Sequence, residues 1–375
     1  MVRWQILTGF VIGLALASVI LSLAGGSERQ PPPSGPILSE CSGHFRELVI
    51  QYVPSAKEIV LRPYEQFLGA LDGDVTVDVV CPSREAYEEL AAFTGPVRCK
   101  LRPIIVNHPI TTWARDRWVA LAPVSPGGIT TLLHQPEESS AAIWPARAGD
   151  ERISDDIAAA LPSSVFAWRS KYFFDGGDFL ADNDTVFVAP RILLRNIQQT
   201  EFNKDAFIQD LAHLLKRRIL LFNEAPDHHV AMFMASAGDK TVLVGDPSLG
   251  RSLLPATLPA NFPELPGGPD FTPQTQHLFD AVANQCAEAG YKVIRVPTIP
   301  AADGRSYLTY VNCLIDRQGN RKIVYLPFYR GAESLNNAAQ EIWKSLGFEI
   351  RPVDCTSTYR QFGCLHCLVN VLKRS

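Results

Sequence analysis

The sequence has no large excess of either charge, since 35 lysines and arginines stand against 39 aspartates and glutamates, for a net charge of -4. A nucleic-acid-binding protein normally carries a strong basic excess or a basic stripe, so we expect no nucleic-acid partner. Eight cysteines in 375 residues are too few for a disulfide scaffold. With 46% apolar and 20% charged residues, the chain is not of the disordered, collagen-like or coiled-coil kind. Its length would give two or three domains of usual size.

One long apolar run stands at the N-terminus. Residues 6–24 (ILTGFVIGLALASVILSLA) are uncharged and mostly apolar, and they follow Arg3. Such a segment is either a long signal peptide or an uncleaved membrane anchor. The next stretch, residues 25–36 (GGSERQPPPSGP), is typical of a tether. We therefore expect an exported, extracytoplasmic protein, anchored to the membrane if the run is retained, with residues 1–37 outside the folded part.

An exported chain folds where disulfides persist, so six of the cysteines could pair in combinations that the sequence does not reveal. Cys81 and Cys99, which bracket a helix-like stretch, are the first pair to consider. The remaining two form the CxxC of Cys364 and Cys367, which is also compatible with a redox pair or half of a zinc site. Because the sequence has no second CxxC, we expect no metal. The six are Cys41, Cys81, Cys99, Cys286, Cys313 and Cys355.

The body of the chain repeats one local pattern, in which an apolar run, a turn signal and a second apolar run predict a β-hairpin. Helical patterns and single β-rich runs separate the hairpins. This degenerate repeat indicates a radially repeated α/β structure, with two stacked α/β domains as the alternative. The predicted hairpins are Trp118–His134, Phe179–Pro190, Ala231–Pro247 and Thr309–Pro327, and a last strand is predicted at Leu365–Leu372. The predicted helices are Ser154–Leu161, Glu201–Lys216, Thr275–Gly290 and Ser334–Leu346, and strands are predicted at Arg218–Phe222, Lys292–Val296 and Glu349–Val353.

Polar residues cluster just before three hairpins and in the last strand. The segments are Thr112–Arg117 (TWARDR), Phe174–Asp178 (FDGGD), Asp227–Val230 (DHHV) and Gly363–Cys367 (GCLHC). In a repeat with approximate rotational symmetry, equivalent positions converge on the axis. A thiol, a histidine and carboxylates would then line one cavity, which suits nucleophilic catalysis on a cationic substrate.

These segments resemble those of the guanidino-group-modifying enzymes of the pentein superfamily, especially the agmatine deiminase and bacterial peptidylarginine deiminase branch. The resemblance covers roughly residues 45 to 372. It implies a five-bladed pseudosymmetric α/β propeller, so residues 38–375 would form a single catalytic domain instead of two or three. It also implies a hydrolase that deiminates a small guanidino compound or an arginyl peptide without a cofactor.

The resemblance assigns Cys367 as the nucleophile, His229 as the general acid and base, and Asp116 as the ligand of the substrate guanidinium. One position departs from the family pattern, because Ala231 stands where a second guanidinium-binding aspartate is usual. Three outcomes remain open: another carboxylate replaces it, the substrate differs from a simple guanidine, or the protein binds without turnover. The candidate replacements are Asp175, Asp178 and Asp227.

Other interpretations of these residues stay open at this point. Asp116 could be an ion-pair partner of Arg115 or Arg117. Trp113 could be a core residue or a wall of the substrate site. Arg195 would be a reasonable clamp for a substrate carboxylate. The alternative functions are amidino transfer in the same fold, guanidino-ligand binding without catalysis, and thiol redox chemistry.

Overall fold

Five small β-sheets make up the body of the chain. The computed structural model describes residues 35–125, 127–138, 147–198 and 202–375, and all statements below concern these residues. The apolar run at residues 6–24 lies outside them, so export and anchoring stay predictions. Within the described part of the chain, no helix is both long and apolar enough to cross a bilayer.

Each sheet contains the same three-stranded unit: two antiparallel strands, then a third strand that runs parallel to the second. Five such units confirm the predicted five-bladed α/β propeller. Two blades carry a fourth strand. The blades are β4(Trp118–Leu121)-β5(Thr130–His134)-β6(Val165–Arg169); β7(Phe179–Ala181)-β8(Thr185–Val188)-β9(Arg218–Leu221); β10(Met234–Gly238)-β11(Thr241–Asp246)-β12(Lys292–Pro300)-β13(Tyr307–Thr309); β14(Leu314–Gln318)-β15(Arg321–Phe328)-β16(Phe348–Asp354); and β17(Val369–Arg374)-β1(Phe45–Gln51)-β2(Thr76–Cys81)-β3(Lys100–Ile105).

Helices cross from the second to the third strand of each unit, as a parallel connection requires. The four predicted helices are confirmed, with ends that differ by a few residues. Start signals are visible in the sequence: Thr272 caps α8 by accepting the amide hydrogen of Thr275, with Pro273 at the first helical position. The helices are α1 Lys57–Ala70, α2 Arg84–Thr94, α3 Ile153–Ala160, α4 Arg191–Asn196, α5 Lys204–Leu215, α6 Val230–Phe233, α7 Pro247–Ser252, α8 Pro273–Glu288, α9 Glu333–Ser345 and α10 Leu365–Leu368.

The ring is closed by strands from opposite ends of the described chain. β17 pairs with β1 in antiparallel register, with Val371 opposite Leu48 and Val369 opposite Ile50. These side chains are buried in the sheet. The last blade therefore contains both ends of the folded chain.

Residues 35–44, here called the N-terminal arm, precede β1 and lie across two further blades. The amide of Leu38 donates to the carbonyl of Ala120 on β4 at 3.0 Å, and that of Glu40 donates to Ala181 on β7 at 2.7 Å. Ile37 is buried and its amide donates to Leu215 at the end of α5. The arm thus packs on the ring from residue 35 onward.

All eight cysteines are free. The suggested pair of Cys81 and Cys99 is wrong for a geometric reason. β2 and β3 are parallel, with Thr76 opposite Lys100 and Cys81 opposite Ile105, so Cys81 and Cys99 lie near opposite ends of the two strands. A separation of six residues in a strand is about 20 Å, far beyond the span of a disulfide.

Candidate active site

Turns that lead into the first strands of four blades bring the candidate side chains together. Nε2 of His229 lies 3.4 Å from Oδ2 of Asp175, and its Nδ1 lies 3.9 Å from Oδ1 of Asp116. The amide of Arg115 donates to the carbonyl oxygen of Cys367 at 3.2 Å, which joins the turn of Asp116 to that of the thiol. All four candidate groups are buried. The sequence separates them widely, and only the ring places them side by side.

The two glycines of the DGGD segment allow this turn to lie close to the turns of Arg115 and His229. Residues 176–178 form a 3-10 turn in which Oδ2 of Asp178 accepts the amide hydrogen of Asp175 at 2.8 Å. A Cβ on Gly176 would lie 2.3 Å from the carbonyl oxygen of Arg115, and one on Gly177 would lie 2.4 Å from Cγ of His229. Glycine is therefore required at both positions by close packing.

His229 is held as an imidazolium by its neighbours. It occupies the residue before α6, and its amide donates to Nδ1 of His228 at 2.8 Å, so the two rings face different surroundings. Burial opposes the charge on His229, but hydrogen bonds to Asp175 and Cys367 and the charge of Asp116 raise its pKa to about 10. Burial, together with the charge of His229, lowers the pKa of His228 well below its usual range. Of these two histidines, only His229 is protonated at neutral pH and can act as a general acid.

The position of Cys367 differs from the prediction. The run Leu365–Leu372 was expected to be one strand, but its first half forms α10 and the strand begins at Val369. The amide of Cys367 donates to the carbonyl of Cys364 at 3.2 Å, and that of His366 donates to Oδ1 of Asn312 at 2.9 Å. These tertiary and local hydrogen bonds override the strand preference of an apolar run. The thiol thus stands on a turn, like the other candidate groups.

Asn312 is a site residue that the sequence analysis missed. It is fully buried before β14, the first strand of the remaining blade, and its Nδ2 donates to Sγ of Cys367 at 3.4 Å. A donor in this position stabilises a thiolate. Asn312 precedes the first strand of its blade, as the other candidates do, but the fourth hairpin was predicted to begin at Thr309, which placed Asn312 inside a strand.

Arginines surround Asp175. Nη1 of Arg195 lies 3.2 Å from Oδ1 of Asp175, and Nη1 of Arg117 lies 3.4 Å from the same oxygen. Nη2 of Arg191, on α4, lies 3.5 Å from Oδ2. Burial raises the pKa of Asp175, but the hydrogen bond from His229 and these cations outweigh it and hold the pKa well below its usual range. Asp175 is a charged anchor for His229.

Asp116 is paired with neither of its sequence neighbours. Arg115 bonds to Glu40, and Arg117 to Glu138 and Asp175. Instead, Nη2 of Arg147 bonds to Oδ2 of Asp116. The carboxylate assigned to the substrate guanidinium therefore already holds a guanidinium of its own chain.

The other predicted substrate-binding residues differ in their burial and in their contacts. The ring of Trp113 packs against Gly363, where an added Cβ would meet Trp113 Cζ3 at 2.6 Å and the Cβ of Cys367 at 3.2 Å. Asp178 has no exposed surface and orders the DGGD turn. Arg195 is bound to Glu138 as well as Asp175. Asp227 is exposed to solvent, unlike the buried candidates.

Cys364, the other cysteine of the CxxC, is buried against Tyr329, whose hydroxyl lies 3.2 Å from its Sγ. Burial raises the pKa of Cys364 to about 12, so its reactive thiolate is disfavoured. Among the described residues, no group of three or more histidine, cysteine, aspartate or glutamate side chains could hold a metal ion.

Solved structures of similar fold are agmatine deiminases. That of C. jejuni aligns with a TM-score of 0.67 at 15% identity, over 92% of this chain and 98% of the other. That of Enterococcus faecalis aligns with a TM-score of 0.66 at 15% identity, over 91% and 96%. No curated protein matches the sequence. The profile of the Porphyromonas-type peptidyl-arginine deiminases matches residues 51–371. Since that match spans most of the sequence, the chain belongs to the Porphyromonas-type peptidyl-arginine deiminase family.

Proposed function

We propose that the chain hydrolyses the guanidino group of arginine, of a peptidyl-arginine or of an arginine-derived amine, with Cys367 as the nucleophile. Deimination is the reaction of its family. The observation that supports these residue roles is the meeting of the Cys367 thiol, the His229 imidazolium and the carboxylates of Asp116 and Asp175 in one buried place.

The reaction proceeds through a covalent intermediate. The Cys367 thiolate attacks the guanidinium carbon and forms a C–S bond, which gives a tetrahedral adduct. His229 donates its proton to one nitrogen, the C–N bond breaks, and ammonia leaves with the electron pair. The neutral His229 then takes a proton from water, whose oxygen attacks the same carbon. The thiolate then leaves with the C–S electron pair, the hydroxyl group loses its proton to solvent, and a ureido group remains.

The surroundings of the thiol favour this sequence of steps. A thiolate is stabilised by an adjacent imidazolium and by an amide donor, which His229 and Asn312 supply. The raised pKa of His229 keeps the proton available at neutral pH.

The substrate guanidinium must take over a position that Arg147 fills. Arg147 bonds to Oδ2 of Asp116, while Asp175 is occupied by arginines on one side and by His229 on the other. Ala231 is buried in an apolar cluster and offers no carboxylate. Asp116 is thus the carboxylate whose exchange of partners admits the substrate.

The N-terminal run supports a site of action outside the cytoplasm. Residues 6–24 have the length and composition of an export signal or anchor. The substrate would then be an arginyl peptide or a free arginine derivative of that compartment.

The test is an assay for ureido-group formation with arginyl peptides, free arginine, methylarginines and agmatine, comparing the wild-type chain with Cys367→Ala. Turnover of at least one substrate that Cys367→Ala abolishes is the expected result. Turnover that survives in Cys367→Ala contradicts the role of the thiol. Appearance of an amidino product when glycine is added favours amidino transfer, and ligand binding without any turnover favours a binding protein.

A further inference from the structure

Glu40, on the N-terminal arm, bonds to two of the candidate segments, Thr112–Arg117 and Gly363–Cys367. One carboxylate oxygen bonds to Nη2 of Arg115, and the other lies 3.2 Å from Nε2 of His366. Arg115 directly precedes Asp116, and His366 directly precedes Cys367. One side chain therefore contacts the residue before the guanidinium ligand and the residue before the nucleophile.

The surroundings of Glu40 leave it little freedom. Its side chain is 11% exposed, against 6% for Arg115 and 3% for His366. Because a carboxylate only accepts hydrogen bonds, the His366 ring must direct its Nε2 hydrogen at Glu40. Burial raises the pKa of Glu40, but the charge of Arg115 and the hydrogen bond from His366 outweigh this and hold the pKa far below its usual range. Glu40 is thus a fixed negative charge between two donors.

The same two segments are joined by direct contacts that need a fixed spacing. The Arg115 amide donates to the Cys367 carbonyl, and Nη1 of Arg115 donates to Oδ1 of Asn370 at 3.2 Å. Asn370 in turn donates to the carbonyl of Ala114 at 3.2 Å. Glu40, on the N-terminal arm, adds a further link between the two segments through Arg115 and His366.

We propose that Glu40 is a positioning residue that fixes the distance between Cys367 and Asp116 by binding Arg115 and His366 at the same time. The inference rests on the proposed function, since it concerns the geometry of that site. It assigns a catalytic purpose to the N-terminal arm, which lies before residues 51–371 that match the family. Deimination requires the thiolate to be aligned with the carbon of the bound guanidinium, so an error of about 1 Å would cost about 100-fold in rate.

The test compares Glu40→Gln with Glu47→Gln. Glu47 is a matched control because it is 16% exposed and also bonds to an arginine, Arg102, which lies on β3 and not in a catalytic segment. For Glu40→Gln we expect kcat to fall by about 10- to 100-fold, with a KM change of less than about threefold. Glu47→Gln should keep the wild-type kcat. Melting temperatures of both variants show whether the chains are folded.

A second readout does not depend on turnover. Alkylation of Cys367 by a haloacetamidine, measured against pH, reports on the thiolate and on its alignment with a bound amidine. Glu40→Gln should slow this labelling while leaving the rate with the uncharged reagent iodoacetamide nearly unchanged. If the wild-type chain turns over no substrate, the proposed function fails, and the labelling still tests the positioning.

A double-mutant cycle tests whether Glu40 acts on Cys367 through His366. If Glu40 acts through His366, the loss of kcat in Glu40→Ala/His366→Ala should be smaller than the product of the two single losses. The proposal is overturned if Glu40→Gln retains both wild-type kcat and wild-type labelling. It is also overturned if the fall in apparent kcat of Glu40→Gln is no larger than its loss of folded protein.

Discussion

Asp175 controls the proton of His229. Because it helps to raise the pKa of His229 to about 10, activity should decline as the pH rises through about 10. In Asp175→Asn, the neighbouring arginines lose their counter-charge, so the alkaline limb of kcat/KM should move to lower pH. The measurement is a pH profile with one substrate. An unchanged alkaline limb would show that His229 does not carry the essential proton.

The same shift affects stability. The folded-state pKa of His229 lies above the ordinary histidine value of 6.5, so its contribution to the free energy of unfolding is fully present below pH 6.5 and is lost as the pH rises through about 10. Asp205→Asn is the control for both measurements, because Asp205 is exposed in the first turn of α5. It should leave the activity profile and the pH dependence of unfolding unchanged.

Arg147 competes with the substrate for Asp116. Arg147→Gln removes the internal guanidinium, and we expect the KM for agmatine to fall by about tenfold, the equivalent of one charge-assisted hydrogen bond. Agmatine is the informative substrate because it has no carboxylate. The KM is measured by steady-state kinetics. The control is Arg169→Gln, at an arginine in an exposed ion pair. A higher KM in Arg147→Gln would mean that Arg147 assists substrate binding.

Residue types and order predicted the chemistry, but not the ion pairing. The candidate turns could be named because cysteine, histidine and aspartate stand at equivalent points of the repeat. Nothing in the sequence indicates that Arg147, and not Arg115 or Arg117, bonds to Asp116. Such pairings depend on which side chains the ring brings within a few ångströms, and they link residues far apart in the chain.

At the scale of single elements, the DGGD turn is the tightest constraint on the site. In Gly177→Ala the new methyl group would meet the His229 ring at 2.4 Å, so the imidazole must move. We expect kcat to fall by about 100-fold, as for a displacement of about 1 Å. Gly69→Ala in α1 is the control, since an added Cβ there meets nothing within 4 Å and should leave activity unchanged. Wild-type kcat in Gly177→Ala would contradict the packing.

Short helices are the elements that sequence patterns predicted badly. The hairpin expected from Ala231 begins with the one-turn helix α6, and the strand expected from Leu365 begins with α10. Both segments are apolar and short, and such runs fit a buried strand as well as a buried helical turn. The four helices that were predicted are confirmed, but the 14-residue α1 was not predicted.

For the whole molecule, the number of hairpins was the decisive sequence signal. Four hairpins and a terminal strand indicated a radially repeated α/β structure, and the resemblance implied five blades. The described part of the chain has five sheets. The pairing of β17 with β1 could be inferred only through the resemblance, because no local pattern says which partner a terminal strand takes. The folded part was predicted to begin near residue 38, and among the described residues Pro36 and Ile37 also hydrogen-bond to the ring.

Closure of the ring should be measurable as stability. Leu372 is fully buried on β17, and Leu372→Ala should lower the free energy of unfolding by about 2 to 5 kcal/mol. Leu194→Ala, at a leucine that is 70% exposed on α4, should change it by less than about 0.5 kcal/mol. Urea denaturation followed by fluorescence provides both values. A cost below about 1 kcal/mol for Leu372→Ala would show that β17 adds little to the fold.

The pairing of β17 with β1 also bears on how the chain acquires its activity during folding. Pairing strands from positions 45 and 374 requires a loop closure over nearly the entire folded chain, and such long-range contacts form slowly. Local hairpins can form earlier, but the thiol of Cys367 reaches His229 only when the last strand docks. In refolding experiments, secondary structure should therefore return before enzymatic turnover, with an interval set by ring closure.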